Sequence, residues 1–198
     1  LFWMVLYRYE SKYLPIESVN EKGIVASQTA QEIGFANGDK LLQVNGKEKI
    51  RFKDFTSIEV LFGAEISIER NGVVKKVQIP SDFISRKGKK MLLFEPQSEV
   101  FVKSLTTKLN PNATNAGLLV NDQIMDVNGS KVLGFGDLVD KLGNFKGDTA
   151  DLLIQRDNIP LYIKCLVDST GKIGIAPDIR FSKLKQKSYT LSEAFAFG

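Results

Sequence analysis

The chain has 198 residues, 43% of them hydrophobic and 25% charged, with a net charge of +4; this is the balance of a folded chain and excludes wholesale disorder. It contains no histidine, which removes every Ser-His, Cys-His and His-metal constellation from this stretch. A single cysteine, Cys165, excludes an intrachain disulfide, and the scattered lysines form no basic stripe with interleaved aromatics, so no nucleic-acid partner is expected.

The chain opens on the apolar run Leu1-Phe-Trp-Met-Val-Leu-Tyr7, followed by Arg8, Glu10 and Lys12. Too short to span a bilayer, which takes about 20 residues, the run reads either as the interfacial end of a spanning helix cut away upstream or as an edge strand or packing arm. From Pro15, Ile24-Val25 reads as a strand, and the run Ser27 to Thr29 can cap a helical turn over Ala30 to Ile33 that Gly34 ends. Leu41 to Val44 is a buried strand closed by the turn Asn45-Gly46. Asp54 then caps one helix with Phe55, Ile58, Leu61 and Phe62 at helical spacing, and Ile66–Arg70 pairs with Val73–Ile79 across Asn71-Gly72. After a basic loop at 81–90 comes a strand, Met91-Leu-Leu-Phe94.

The same order then returns. Val100 to Leu105 is a strand, Pro111 to Ala116 a helical turn, Ile124 to Val127 a strand, and Asn128-Gly129 a turn. Asp137 starts a helix with Leu138, Val139 and Leu142 on one face, and Leu152–Gln155 pairs with Leu161–Leu166 across Asp157-Asn158. Gly171-Lys-Ile-Gly-Ile-Ala-Pro177 is a glycine-spaced strand in the place that Met91–Phe94 holds in the first copy. Underlying this is a phrase that occurs twice, Gly34-Phe-Ala-Asn-Gly-Asp-Lys-Leu-Leu-Gln-Val-Asn-Gly46 and Gly117-Leu-Leu-Val-Asn-Asp-Gln-Ile-Met-Asp-Val-Asn-Gly129, at an offset of 83 residues that also carries Ala30 onto Ala113 and Asp54 onto Asp137. Two copies of a module of roughly 80 to 90 residues follow, mostly β with short helices.

The phrase, the short helix after it and the Arg-Asn-Gly hairpin resemble the PDZ domain in its bacterial, circularly permuted form, where the strand lining the peptide groove comes last; the resemblance covers about residues 16 to 178. It implies an α+β fold of two tandem PDZ domains, each a small, partly open β-barrel or sandwich capped by two helices, at 16–96 and 97–178, between membrane-proximal segments at 1–15 and 179–198. The arrangement is similar to the periplasmic region of the RseP-type site-2 proteases, intramembrane zinc metalloproteases. That family carries its zinc on a His-Glu-x-x-His motif and a Leu-Asp-Gly aspartate in membrane helices; neither motif is present here. The resemblance therefore implies a non-catalytic, periplasmic segment of an inner-membrane protease, with zinc only in the full-length parent. Its implied task is to control which substrates reach the membrane active site, by size exclusion or by binding extended or C-terminal segments of membrane-protein substrates such as a trimmed anti-sigma factor. A free-standing tandem-PDZ adaptor, or the PDZ tail of an HtrA-like serine protease, is the alternative.

A PDZ groove binds an extended segment between a strand edge and a helix, with main-chain hydrogen bonds for affinity and side-chain pockets for selectivity. In the second copy the expected groove runs between Ile173, Gly174, Ile175 and the helix residues Leu138, Val139 and Leu142, with Gly171 and Gly174 allowing a carboxylate close to the backbone. In the first copy Met91, Leu92, Leu93 and Phe94 hold the corresponding strand and lack that glycine spacing. No catalytic or metal-binding residue is expected, and Cys165, in a strand-like run, is expected to be a buried structural thiol.

Overall fold

The computed structural model describes residues 13–84, 93–106 and 108–181. They divide into two compact units, one running through Pro96 and the other starting at Gln97. Both are mostly β with short helices, an α+β architecture. Among the described residues no helix is long and apolar enough to cross a membrane; the apolar run at 1–7 and the tail at 182–198 lie outside them.

The first unit runs α1 (Ile16–Asn20), β1 (Ile24–Ala26), α2 (Gln28–Glu32), β2 (Lys40–Val44), β3 (Lys47–Glu48), two 3-10 turns (Phe52–Phe55 and Ile58–Phe62), β4 (Glu65–Arg70), β5 (Val73–Gln78) and β6 (Phe94–Pro96). Ser27 caps α2 by accepting from the Ala30 amide at 3.2 Å, which satisfies one of the donors every helix start leaves free. The strands β3-β2-β4-β5 form one antiparallel sheet, while β6 pairs with β1, Ile24 opposite Pro96. Ile24, Phe55, Ile66 and Ile68 are fully buried in the core, each such side chain stabilising the fold by about 1.5–3 kcal/mol.

The single helix expected after Asp54 is instead two 3-10 turns. Ser57 between them is extended (φ −68°, ψ 156°), and the β-branched Thr56, Ile58 and Val60 favour helix weakly. Phe55 and Leu61 are buried, but Ile58 and Phe62 face solvent, so the four do not share an inward face.

The second unit contains β7 (Glu99–Leu105), α3 (Asn112–Asn115), β8 (Gln123–Val127), β9 (Ser130–Lys131), α4 (Phe135–Gly143), β10 (Thr149–Arg156), β11 (Ile159–Leu166) and β12 (Ile175–Arg180). Its sheet has the order β11-β10-β8-β7-β12, with β9 on β8. Here too the last strand returns to the first, β12 lying antiparallel to β7 with Pro177 opposite Val102. The helix α4 begins at Phe135, two residues before the expected start; Asp137 accepts instead from the Leu133 amide at 2.8 Å and pairs with Lys141.

Each unit is fastened by the same device. Asp39, fully buried, receives Nε and Nη2 of Arg70 at 2.6 and 2.7 Å, and Nη2 also reaches the Gly34 carbonyl at 2.8 Å. Asp122, 1% exposed, receives Arg156 at 2.7 Å through both nitrogens, and Arg156 reaches the Gly117 carbonyl at 2.8 Å. A second function falls to each carboxylate, which accepts a loop amide at 2.8 Å, Ala36 in the first unit and Leu119 in the second. A bidentate, fully hydrogen-bonded pair of this kind offsets the cost of burying the acid. The turns repeat as well: Asn45 and Asn128 both hold φ near +50° and accept across the hairpin mouth from Glu65 and Asp151 amides at 2.9 Å.

Candidate functional site

The second unit leaves β12 at the end of its sheet. Among the described residues β12 pairs only with β7, so its other edge carries main-chain donors and acceptors free for a further strand. Arg180 fixes the far end of this strand, lying 4.0 Å over the Phe101 ring and bonding Asp178 at 2.7 Å.

The near end is a loop, not a strand. Gly171 and Gly174 have φ of +86° and +88°, a left-handed backbone that cannot continue a strand, so β12 begins at Ile175. One residue organises this loop. The Asp168 carboxylate accepts from the Thr170 amide (2.8 Å) and hydroxyl (2.7 Å), from the Lys172 amide (3.0 Å) and from Nδ2 of Asn110 (2.6 Å). Led by the Thr170 hydroxyl, these donors hold the Asp168 carboxyl below its ordinary value, because they stabilise the ionised form.

Asn110 also places its own backbone against the loop: a Cβ at position 174 would overlap the Asn110 carbonyl oxygen. The close approach that Gly174 permits is thus that of the chain itself. Gly171 lies against the end of α4, where a Cβ would meet Cε of Lys146 at 3.3 Å and Cα of Gly143 at 3.4 Å. The carbonyls of Ile173 and Gly174 accept from Ala113 (2.7 Å) and Thr106 (2.8 Å), whereas no described residue accepts from their amides.

Of the helix residues expected to line a groove, Leu138 and Leu142 are buried, 1% and 4% exposed, and belong to one core cluster with Ile173. Val139 is 46% exposed. It sits at the outer margin of that face, about 100° round the helix from Leu138 but only about 60° from Leu142. Val139 thus joins the stripe of Phe135 and Leu142, four and three residues away, toward the end of α4 that Gly171 touches. Ile175, half-buried, packs on the same cluster.

In the first unit the strand expected at Met91–Phe94 is displaced: β6 spans Phe94–Pro96, and Met91 and Leu92 lie outside the described residues. Leu93 accepts from the Ser27 amide at 2.9 Å, as Gly174 does from Thr106, so Phe94 stands where Ile175 stands in the second unit. The environments differ. Phe94 is 1% exposed, with the rings of Phe35 and Phe52 edge-on at 5.3 and 6.2 Å, and both Leu93 and Phe94 are core. The strand is half as long and its hydrophobic neighbour space is occupied by the unit's own aromatics.

Asn110, Asp168 and Lys146 are absent from the sequence-based site. The run Asp168-Ser-Thr-Gly-Lys172 carried a signal, since an aspartate followed two residues later by Thr is a local turn-forming pattern; the Asn110 contact, 58 residues away, carried none. Among the described residues no three His, Cys, Asp or Glu side chains come together in a way that can hold a metal ion. A scan against protein-family models finds no match to this chain.

Proposed function

We propose that the chain is the tandem, circularly permuted PDZ region of an RseP-like site-2 protease, controlling which substrates reach the intramembrane zinc site. The observation that carries this reading is the closing strand of each unit, β6 on β1 and β12 on β7, in two copies of one fastened frame. On this reading the zinc is carried by other segments of the parent, as the resemblance implies.

Within this reading the second unit is the recognition module. An extended segment of a membrane-protein substrate adds antiparallel to the free edge of β12, and its side chains enter the space beside Ile175, Val139 and Leu142. The first unit, its corresponding space filled by Phe35, Phe52 and Phe94, contributes bulk to size exclusion. The alternative of a free-standing adaptor requires peptide binding with no protease attached.

The test is cleavage of a membrane substrate by the full-length parent with and without residues 16–178, using an intact substrate and one trimmed near the membrane. Release of intact-substrate cleavage on deletion supports gating; loss of cleavage of both forms by a folded enzyme rules gating out in favour of substrate delivery. Ile175→Asp in the undeleted parent separates the mechanisms: altered cleavage control supports groove recognition, and unchanged control supports size exclusion alone.

A further inference from the structure

The sequence holds four Asn-Gly steps, at 37–38, 45–46, 71–72 and 128–129. Such steps are open to intramolecular deamidation because glycine presents an unshielded backbone nitrogen to the preceding side chain. The fold treats the four differently. Asn37 Oδ1 accepts from Ala26 at 2.8 Å, and the Gly38 amide is itself bonded to Ile24 at 2.8 Å. Asn45 Oδ1 accepts from Glu65 and Asn128 Oδ1 from Asp151, both at 2.9 Å. These bonds hold each carboxamide toward a neighbouring strand and away from the following nitrogen. Asn71 and Gly72 are both exposed, no described group bonds the Asn71 side chain, and their turn ends a hairpin whose second strand, β5, is a sheet edge.

We propose that Asn71 is a selective, fold-directed modification site, deamidating ahead of the other three. The Gly72 nitrogen, losing its proton to solvent base, bonds to Cγ of Asn71 and expels ammonia, giving a succinimide. Water then opens either ring carbonyl, leaving aspartate or isoaspartate; overall one carboxamide and one water become one carboxylate and one ammonium ion. The two products have opposite structural consequences. Aspartate at 71 reproduces what the second unit already has, Asp157 beside Arg156, where the Arg156–Asp122 pair is intact and the Asp157 charge adds to what favours the charged guanidinium. Isoaspartate adds a carbon to the main chain at the turn and breaks the register that sets Arg70 opposite Val73.

The test is incubation of the 198-residue chain in mildly alkaline buffer, with peptide mapping for the amide-to-acid mass shift and isoaspartate-selective methyl labelling. Conversion at Asn71 is expected about fivefold faster than at any of the other three, the ratio imposed by one hydrogen bond that must first break. Equal rates at the four sites, or faster conversion at Asn37, Asn45 or Asn128, overturn the proposal. The same chain unfolded in urea gives the second arm: the rates converge if the fold directs the selectivity, and an undiminished lead for Asn71 there assigns it to local sequence and overturns the proposal as well.

Discussion

Asn110 and Asp168, 58 residues apart in the chain, meet through a 2.6 Å hydrogen bond from Nδ2 to Oδ2. That bond joins the segment behind Gly174 to the loop that leads into β12, and Nδ2 of Asn110 also reaches the Lys172 carbonyl at 3.2 Å. The shape of the loop at the mouth of the candidate groove therefore depends on a charge held at one position.

Asp168→Asn keeps the size of the side chain and removes that charge. On the proposed reading it is expected to weaken peptide binding to the second unit several-fold while leaving β7, β8 and β10 protected from hydrogen exchange, because its partners lie in the loop and not in the sheet. Because folding lowers the pKa of Asp168, its contribution is present above the unfolded value and is lost as pH falls through the folded one. Acid titration of loop amides by NMR is expected to show a transition below the ordinary carboxylate value of 3.8 that Asp168→Asn abolishes.

Gly174→Ala and Gly129→Ala separate close packing from backbone strain. Both positions have φ above +70°, but a Cβ at 129 meets nothing within 4 Å, whereas one at 174 overlaps the Asn110 carbonyl. Urea unfolding is expected to give a loss of about 1–2 kcal/mol for Gly129→Ala and of about 2–4 kcal/mol for Gly174→Ala. Equal losses at the two sites contradict the Asn110 contact.

Removing Arg156 leaves Asp122 buried without its cation. Arg156→Ala is expected to cost about 3–5 kcal/mol, and Arg70→Ala a similar amount in the first unit, since Asp39 is buried to the same degree. Chemical denaturation of the two variants measures both.

Cys165 is fully buried, and burial pushes its thiol up to about 11. At neutral pH, modification by a thiol reagent is expected to require opening of the fold, with a rate that rises with added urea below the unfolding transition and levels off at high reagent concentration. A rate unaffected by urea below the transition means that the thiol reacts without opening.

Periodicity and turn chemistry made much of the frame legible. The Asn-Gly turns, the cap before α2 and the apolar runs of β1, β2, β4, β5, β7 and β8 are local signals that lie within one residue or so of their structural counterparts, whereas β10 and β11 begin two to three residues earlier than read and the runs at 91–94 and 171–177 are displaced. What escaped was set elsewhere in the chain. The Asp39–Arg70 and Asp122–Arg156 pairs join residues 31 and 34 positions apart, and no local propensity encodes them. In the stretch 171–177, alternation resembled a strand, yet two left-handed glycines hold its first half as a loop. The helix expected after Asp54 failed because helical spacing of Phe55, Ile58, Leu61 and Phe62 outweighed the β-branched residues that interrupt it. In the candidate groove, Ile175, Leu138 and Leu142 were readable as apolar positions, but their burial, and the exposure of Val139, follow from how α4 is rolled against the sheet.

The fastening pair tolerates three more residues between its members in the second unit than in the first, with the same three contacts and nearly the same lengths. The stretch between aspartate and arginine thus behaves as a cassette: one copy fills it with paired 3-10 turns, the other with a nine-residue helix, and the clamp around it does not register the exchange. A duplicated module built this way can exchange the element between two fixed points while the contacts that close its frame stay the same.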